Sequence, residues 1–166
     1  IFSWGRMHNS TQNISQPGFY LGAEAISGDG SFLAHGNGRS YGDVSLNNNN
    51  TLIVTKNMDR VIAFDKEKGK IKVQAGITLD RLLKFIIPAG YFVRVTPGTS
   101  FVTVGGAIAN DIHGKNHHIG GTFGNHLTSI TLLKSSGELL TISPTHQKEL
   151  FSATIGGLGL TGLILK

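Results

Sequence analysis

Cysteine is absent from all 166 residues. That excludes a disulfide framework, a thiolate nucleophile and a cysteine-based zinc site within the chain. Long hydrophobic runs are also missing, so no segment reads as a bilayer span, and no secretory signal pattern occurs. The chain begins at Ile1, as a processed or trimmed N-terminus would. The expected location is the cytoplasm or the periphery of a membrane. No GK[ST] triplet closes a Walker A loop, and no HExxH offers a zincin site. Recognition-helix, zinc-finger and RNP-type aromatic patterns are lacking too, so nucleic acid is not an expected partner.

Glycine, by contrast, is abundant at 23 residues, without the Gly-X-Y period of collagen. With 39% hydrophobic residues the chain should be globular, as one domain or as two small lobes sharing a core. The formal charge of +5 comes from scattered Lys and Arg. Such scatter fits a solvated basic surface, with attraction to an anionic ligand or lipid headgroup as the alternative.

Periodicity predicts many short strands and few helices. Strands are expected at Phe32–His35, Leu52–Thr55, Tyr91–Val95 and Leu163–Leu165. Hairpins are expected from Val61–Asp65 with Ile71–Gln74, and from Leu127–Leu133 with Glu138–Ile142. Thr78 is placed to cap a helix carrying Leu79, Leu82, Leu83, Phe85 and Ile86, with Pro88 and Gly90 stopping it. Shorter helices are expected at Gly106–Asp111 and Gln147–Ser152. The final strand reaches the last residue without a turn or cap, which suggests a fragment or one half of a split enzyme.

Four segments carry potential chemistry. In GNGRSYGD (Gly36–Asp43) the glycines permit a tight turn whose N–H groups converge on an anion, with Arg39 adding charge and Ser40 a hydroxyl. TPGTSFVTVGG (Thr96–Gly106) joins a Pro97–Gly98 turn to the donors Thr99 and Ser100. His113, His117, His118 and His126 form a histidine cluster. Its HxxxHH spacing suits a metal only on a helix, which Gly114, Gly120 and Gly121 oppose. Plain hydrogen-bonding histidines, or groups lining a cavity, are the other readings. GGLGLTG (Gly156–Gly162) precedes the last strand and reads as a bend or as a close backbone approach to a ligand. Each alone is compatible with an ordinary turn. Together they indicate a long phosphorylated cofactor held by backbone donors, leaving FAD, NAD and other nucleotides open.

The order and spacing of SWGR (Ser3–Arg6), GNGRSYGD, TPGTSFVTVGGAIANDIHGKNHHIGGTFGNHL (Thr96–Leu127) and ELFSATIGGLGLTGLI (Glu149–Ile164) resemble one family over nearly the whole chain. It is the FAD-binding domain of the vanillyl-alcohol-oxidase (PCMH) type, and within it the decaprenylphosphoryl-ribose-oxidase branch. The resemblance implies an α+β fold of two lobes, approximately residues 1–95 and 96–166, with a small parallel or mixed sheet, a larger antiparallel sheet and flanking helices. FAD would lie between the lobes.

By position, the resemblance assigns Gly36, Asn37, Gly38, Arg39, Ser40, Tyr41 and Gly42 to the pyrophosphate. Pro97, Gly98, Thr99, Thr103, Gly105 and Gly106 would line the phosphates and isoalloxazine. Asn110, His113 and Gly114 would sit beside the flavin, and Gly162 and Ile164 at the adenosine end. His113, Lys115 and Asn116 would face the substrate. The implied reaction oxidises a sugar CH–OH group to a ketone, on a lipid-linked sugar phosphate. Covalent members carry a flavin-linking histidine in the first glycine loop where this chain has Arg39, so dissociable FAD is expected. The family's substrate domain and catalytic lysine follow this segment, so a C-terminal segment or a second polypeptide would supply them. Sugar-lactone or alditol oxidation, or a flavin-binding module without its own activity, are the alternative functions.

Overall fold

The computed structural model describes residues 1–7, 9–21, 26 and 30–166. Strand β3 (Thr51–Val54) buries Leu52, Ile53 and Val54, a near-continuous apolar run that suits a central parallel strand. Its neighbours are β1 (Asn13–Ser15) and β2 (Phe32–His35), both parallel to it, in the order β1-β3-β2. Parallel neighbours cannot be joined by a tight turn. The chain leaving His35 therefore crosses over the end of the sheet before returning at Thr51. That crossover contains Gly36–Asp43 and sets the glycine loop beyond the carboxyl end of β2.

Strands β4 (Val61–Asp65) and β5 (Lys70–Val73) form the expected antiparallel hairpin. Gly69 adopts the left-handed φ of 61° that its turn requires. Helix α1 (Leu79–Ile86) starts where Thr78 Oγ1 accepts from the Arg81 N–H at 3.3 Å, and it buries Leu79, Leu82 and Ile86. Pro88 does not stop the chain at once. It sits inside a 3-10 turn at Ile87–Ala89, which ends at left-handed Gly90. Helix α2 (Val104–Ala109) is capped by Thr103, and helical turn α3 spans His117–Gly120. Strands β6 (Ile130–Leu133), β7 (Leu139–Ile142) and β8 (Leu163–Ile164) form a second sheet in the order β7-β6-β8, with α4 (Lys148–Thr154) before β8.

Three expectations need correction. Tyr91–Val95 alternates as a strand should, with Tyr91, Val93 and Val95 turned inward. It nevertheless pairs with no strand among the described residues, and the Arg94 carbonyl is taken by the Asn116 side chain at 3.0 Å. Gly120 and Gly121 do not prevent a helical turn after His117. They end it, with Gly121 at φ 67°. The antiparallel strands do not make one larger sheet but two, because Ala75, just past β5, leaves the ladder: its N–H donates to Leu165 O (2.9 Å) and its carbonyl accepts from Gly105 (2.7 Å).

The fold is α+β, as expected. The main core gathers Ile77, Leu79 and Leu82 with Ile130, Leu132, Ile142 and Phe151. A smaller cluster, in which Ile53 and Met58 meet Leu133 and Leu163, ties the parallel sheet to the antiparallel one. No helix among the described residues is long and apolar enough to cross a membrane.

Candidate functional site

Where the parallel sheet, α2 and the last glycine segment meet, a cleft opens to solvent. One wall is the loop Gly36–Ser40, with Val44 and Ser45 below it. The opposite wall is Thr103, Gly105, Gly106, Ala109 and Asn110. Leu158, Gly159, Gly162 and Ile164 close the end, and Ala75 lies between.

The loop is held by groups around it, so its own donors stay free. His35, buried at the end of β2, donates from Nδ1 to Ser45 O at 2.9 Å. The Asn37 side chain donates to Phe101 O at 2.8 Å. At Gly38, φ is 60° and a Cβ would lie 3.0 Å from Phe2 O, so only glycine fits without strain. Gly36 packs against the Thr103 hydroxyl, which a Cβ would overlap. The backbone N–H groups from Asn37 through Gly42 have no acceptor among the described residues. Consecutive unpaired N–H groups in a turn make a concavity that receives an anion.

Helix α2 contributes differently from what its sequence suggests. Its first N–H groups are already used: Val104 donates to Ile77 O (2.8 Å), Gly105 to Ala75 O (2.7 Å) and Gly106 to Thr103 Oγ1 (3.1 Å). Gly105 and Gly106 therefore provide room rather than hydrogen bonds. At Gly106 an added Cβ would meet only the Thr103 hydroxyl, at 3.1 Å.

Eleven of the residues assigned to the cofactor thus line one cleft: Gly36, Asn37, Gly38, Arg39, Ser40, Thr103, Gly105, Gly106, Asn110, Gly162 and Ile164. Tyr41 and Gly42 lie beyond its lining, with Tyr41 exposed. Pro97, Gly98 and Thr99 are outside it, in a turn where Thr99 Oγ1 accepts from the Phe101 N–H. His113, Gly114, Lys115 and Asn116 follow Asn110 in the chain but do not line the cleft. His113 is bridged to Thr122, and its ring stands 5.4 Å from that of His117. Gly114 is packed on Thr96 O, where a Cβ would come within 2.7 Å. Asp111 does not orient an imidazole, because its carboxylate accepts from the Gly124 N–H at 2.9 Å.

Sequence reasoning missed Ala34, Val44, Ser45, Thr55 and Ala75, and named Leu158 only as part of a glycine segment. Ser45 Oγ is a buried hydroxyl with no partner. Leu158, with φ 53° and its N–H on Ala109 O, had a signal in the glycines around it.

Residues 24–143 match the family model described as FAD binding domain. The chain belongs to this FAD-binding domain family. It is 42% identical, over its whole length, to decaprenylphosphoryl-beta-D-ribose oxidase of Mycolicibacterium smegmatis, of which it covers 38%. It is 33% identical over 78% of its length to L-gulonolactone oxidase of Mus musculus, covering 29% of that relative. To D-2-hydroxyglutarate dehydrogenase of Escherichia coli it is 28% identical over 68% of its length, covering 11%. The chain thus spans well under half the length of these relatives. Its cleft fits the cofactor of the family: free N–H donors meet a diphosphate, and small residues opposite admit a flat ring system.

His35 makes this FAD-binding domain sensitive to acid. Burial pushes its pKa below the ordinary value, against the opposing effect of its bond to Ser45. An unfolded histidine takes a proton near pH 6.5, and the folded one resists until lower pH. The native state then binds fewer protons, so stability is complete above about pH 6.5 and is lost as pH falls through the folded-state value. The melting temperature should drop as the pH falls below about 6.5, and drop less in His35→Asn. An equal drop in both would assign the sensitivity to other groups.

Proposed function

We propose that this domain holds FAD non-covalently along the cleft and serves an oxidoreductase that oxidises a CH–OH group of a lipid-linked sugar phosphate to a ketone. The observation that carries the cofactor half is the run of free backbone N–H groups from Asn37 to Gly42, of which Asn37 to Ser40 line the cleft wall. The substrate half rests on the 42% identity with the mycobacterial oxidase across the whole chain.

In this reading the loop donors and Arg39 take the diphosphate, and Gly105 and Gly106 leave space for the rings. Asn110, whose Nδ2 donates to Gly106 O at 2.8 Å, keeps its side-chain carbonyl available at the flavin side. Gly162 and Ile164 bound the adenosine end. Bound FAD supplies a two-electron acceptor for hydride. His113, Lys115 and Asn116, beyond Asn110, face the substrate and stabilise its charge. The lobes 1–95 and 96–166 both contribute cleft walls, which supports a cofactor held between them. Non-covalent attachment is supported by Arg39 standing in the glycine loop and by the lack of cysteine. The substrate domain and its lysine come from further sequence or a second polypeptide, and the enzyme works in the cytoplasm or at the membrane periphery. The likeness to L-gulonolactone oxidase favours a second reading, oxidation of a sugar lactone or alditol.

Purified protein mixed with FAD should keep flavin absorbance through desalting and release all of it on denaturation. Flavin that stays with the precipitate would make the link covalent, and a colourless protein would remove both readings. In the enzyme completed by its substrate domain, His113→Ala should retain FAD and lower turnover on a phosphoribosyl lipid at least tenfold. Equal loss of FAD would make His113 a cofactor or structural residue.

A further inference from the structure

Resting on the FAD reading above, we propose that Trp4 is a positioning residue for the anion loop, holding the Arg39 guanidinium in place at the cleft wall before the diphosphate arrives. The Arg39 guanidinium carbon lies 5.1 Å from the centre of the Trp4 ring. Its Nη1 also donates to Asn37 O at 3.0 Å, so the side chain is fixed from two directions. No carboxylate pairs with Arg39 among the described residues, and its charge stays uncompensated beside the free N–H donors.

The backbone around Trp4 follows the same loop. The Trp4 N–H donates to Ser40 O at 3.3 Å, and Phe2 O stands 3.0 Å from the place a Cβ on Gly38 would occupy. Residues 38, 39 and 40 are therefore each met by the segment Phe2–Trp4. Ser3 is buried at 3% exposure, while Trp4 is 55% exposed and belongs to neither hydrophobic cluster. A tryptophan that fills no core has its ring available for the cation. An arginine left free must surrender its rotamer freedom when it binds an anion. Stacked on an indole face it has already done so, and the ligand meets a preorganised donor fork.

A cycle of FAD affinities on the whole protein tests this, with flavin fluorescence as the readout and the ligand-free melting temperature as a folding control. Arg39→Gln should weaken FAD about tenfold and Trp4→Leu about three- to fivefold, the range expected for an exposed cation–π contact. Trp4→Phe, which keeps an aromatic face, should stay within about twofold of wild type. The double variant Trp4→Leu/Arg39→Gln should bind no more weakly than Arg39→Gln alone, because Trp4 acts through Arg39. Arg39→Lys keeps the charge but not the planar stack, and should match Trp4→Leu even if the latter folds poorly. Equal penalties for Trp4→Leu in both backgrounds, an unchanged affinity in Trp4→Leu, or a wild-type affinity in Arg39→Lys would each overturn the proposal. An unaffected Arg39→Gln would overturn it while leaving FAD binding intact. Failure of the wild-type protein to bind FAD would remove the functional reading itself, and this inference with it.

Discussion

Gly106→Val should abolish FAD binding, at least a hundredfold, while the protein folds and melts within a few degrees of wild type. The helix tolerates the change, because valine is no worse than glycine in a helix interior. Space is what is lost. At position 106 an added Cβ meets only the Thr103 hydroxyl, at 3.1 Å, and further atoms extend into the cleft that Gly106 lines. The neighbouring glycine should behave differently. A Cβ on Gly105 lies 3.0 Å from Ala75 Cβ and 3.2 Å from Ala75 O, so Gly105→Val strains the joint between α2 and the end of β5. Isothermal titration with FAD and thermal melting of both variants separate the two effects. Full FAD affinity in Gly106→Val would move the cofactor away from α2.

Gly76→Ala should unfold the protein or cost about 3 kcal/mol or more, a severe penalty for one added methyl group. The added carbon would overlap Thr55 O and stand 2.7 Å from Met58 O. Both are backbone atoms in or just after the 3-10 turn that follows β3, and neither can rotate aside. Thr55 is itself fixed, with its hydroxyl donating to His35 O at 3.2 Å. The strain would pass to β2 and β3, whose ends carry the anion loop. A urea melt of Gly76→Ala with an unchanged midpoint would mean that the Thr55–Met58 turn yields more easily than its hydrogen bonds indicate.

Sequence patterning revealed the elements whose signal is local. Thr78 and the apolar spacing of Leu79, Leu82 and Ile86 mark α1, and the Lys66–Gly69 turn marks the β4–β5 hairpin. Tyr91–Val95 was misleading because alternation reports which side chains are buried, not whether the backbone finds a ladder. The glycine loop was legible as an anion cradle from its composition. That α2 has no donors to offer was not legible, since its acceptors, Ile77 O and Ala75 O, come from a segment about thirty residues away. Ala75 gave no sign as a cleft residue, because alanine is as common in cores as beside ligands. Trp4 belongs to SWGR, which carried the family resemblance without a site role, and only the fold brings its ring to Arg39.

The cleft wall at Leu158–Ile164 has a consequence for how the domain is made. The anion loop is among the early residues to leave the ribosome, and the strand that faces it, β8, is among the last of this segment. Until β8 pairs with β6 and Leu163 joins Ile53 in the smaller cluster, the cofactor has half a groove. On the proposed reading, FAD would meet its complete groove only once β8 is in place. A nascent chain stalled before Leu158 would present its glycine loop to solvent, with unpaired backbone donors and no ligand to occupy them.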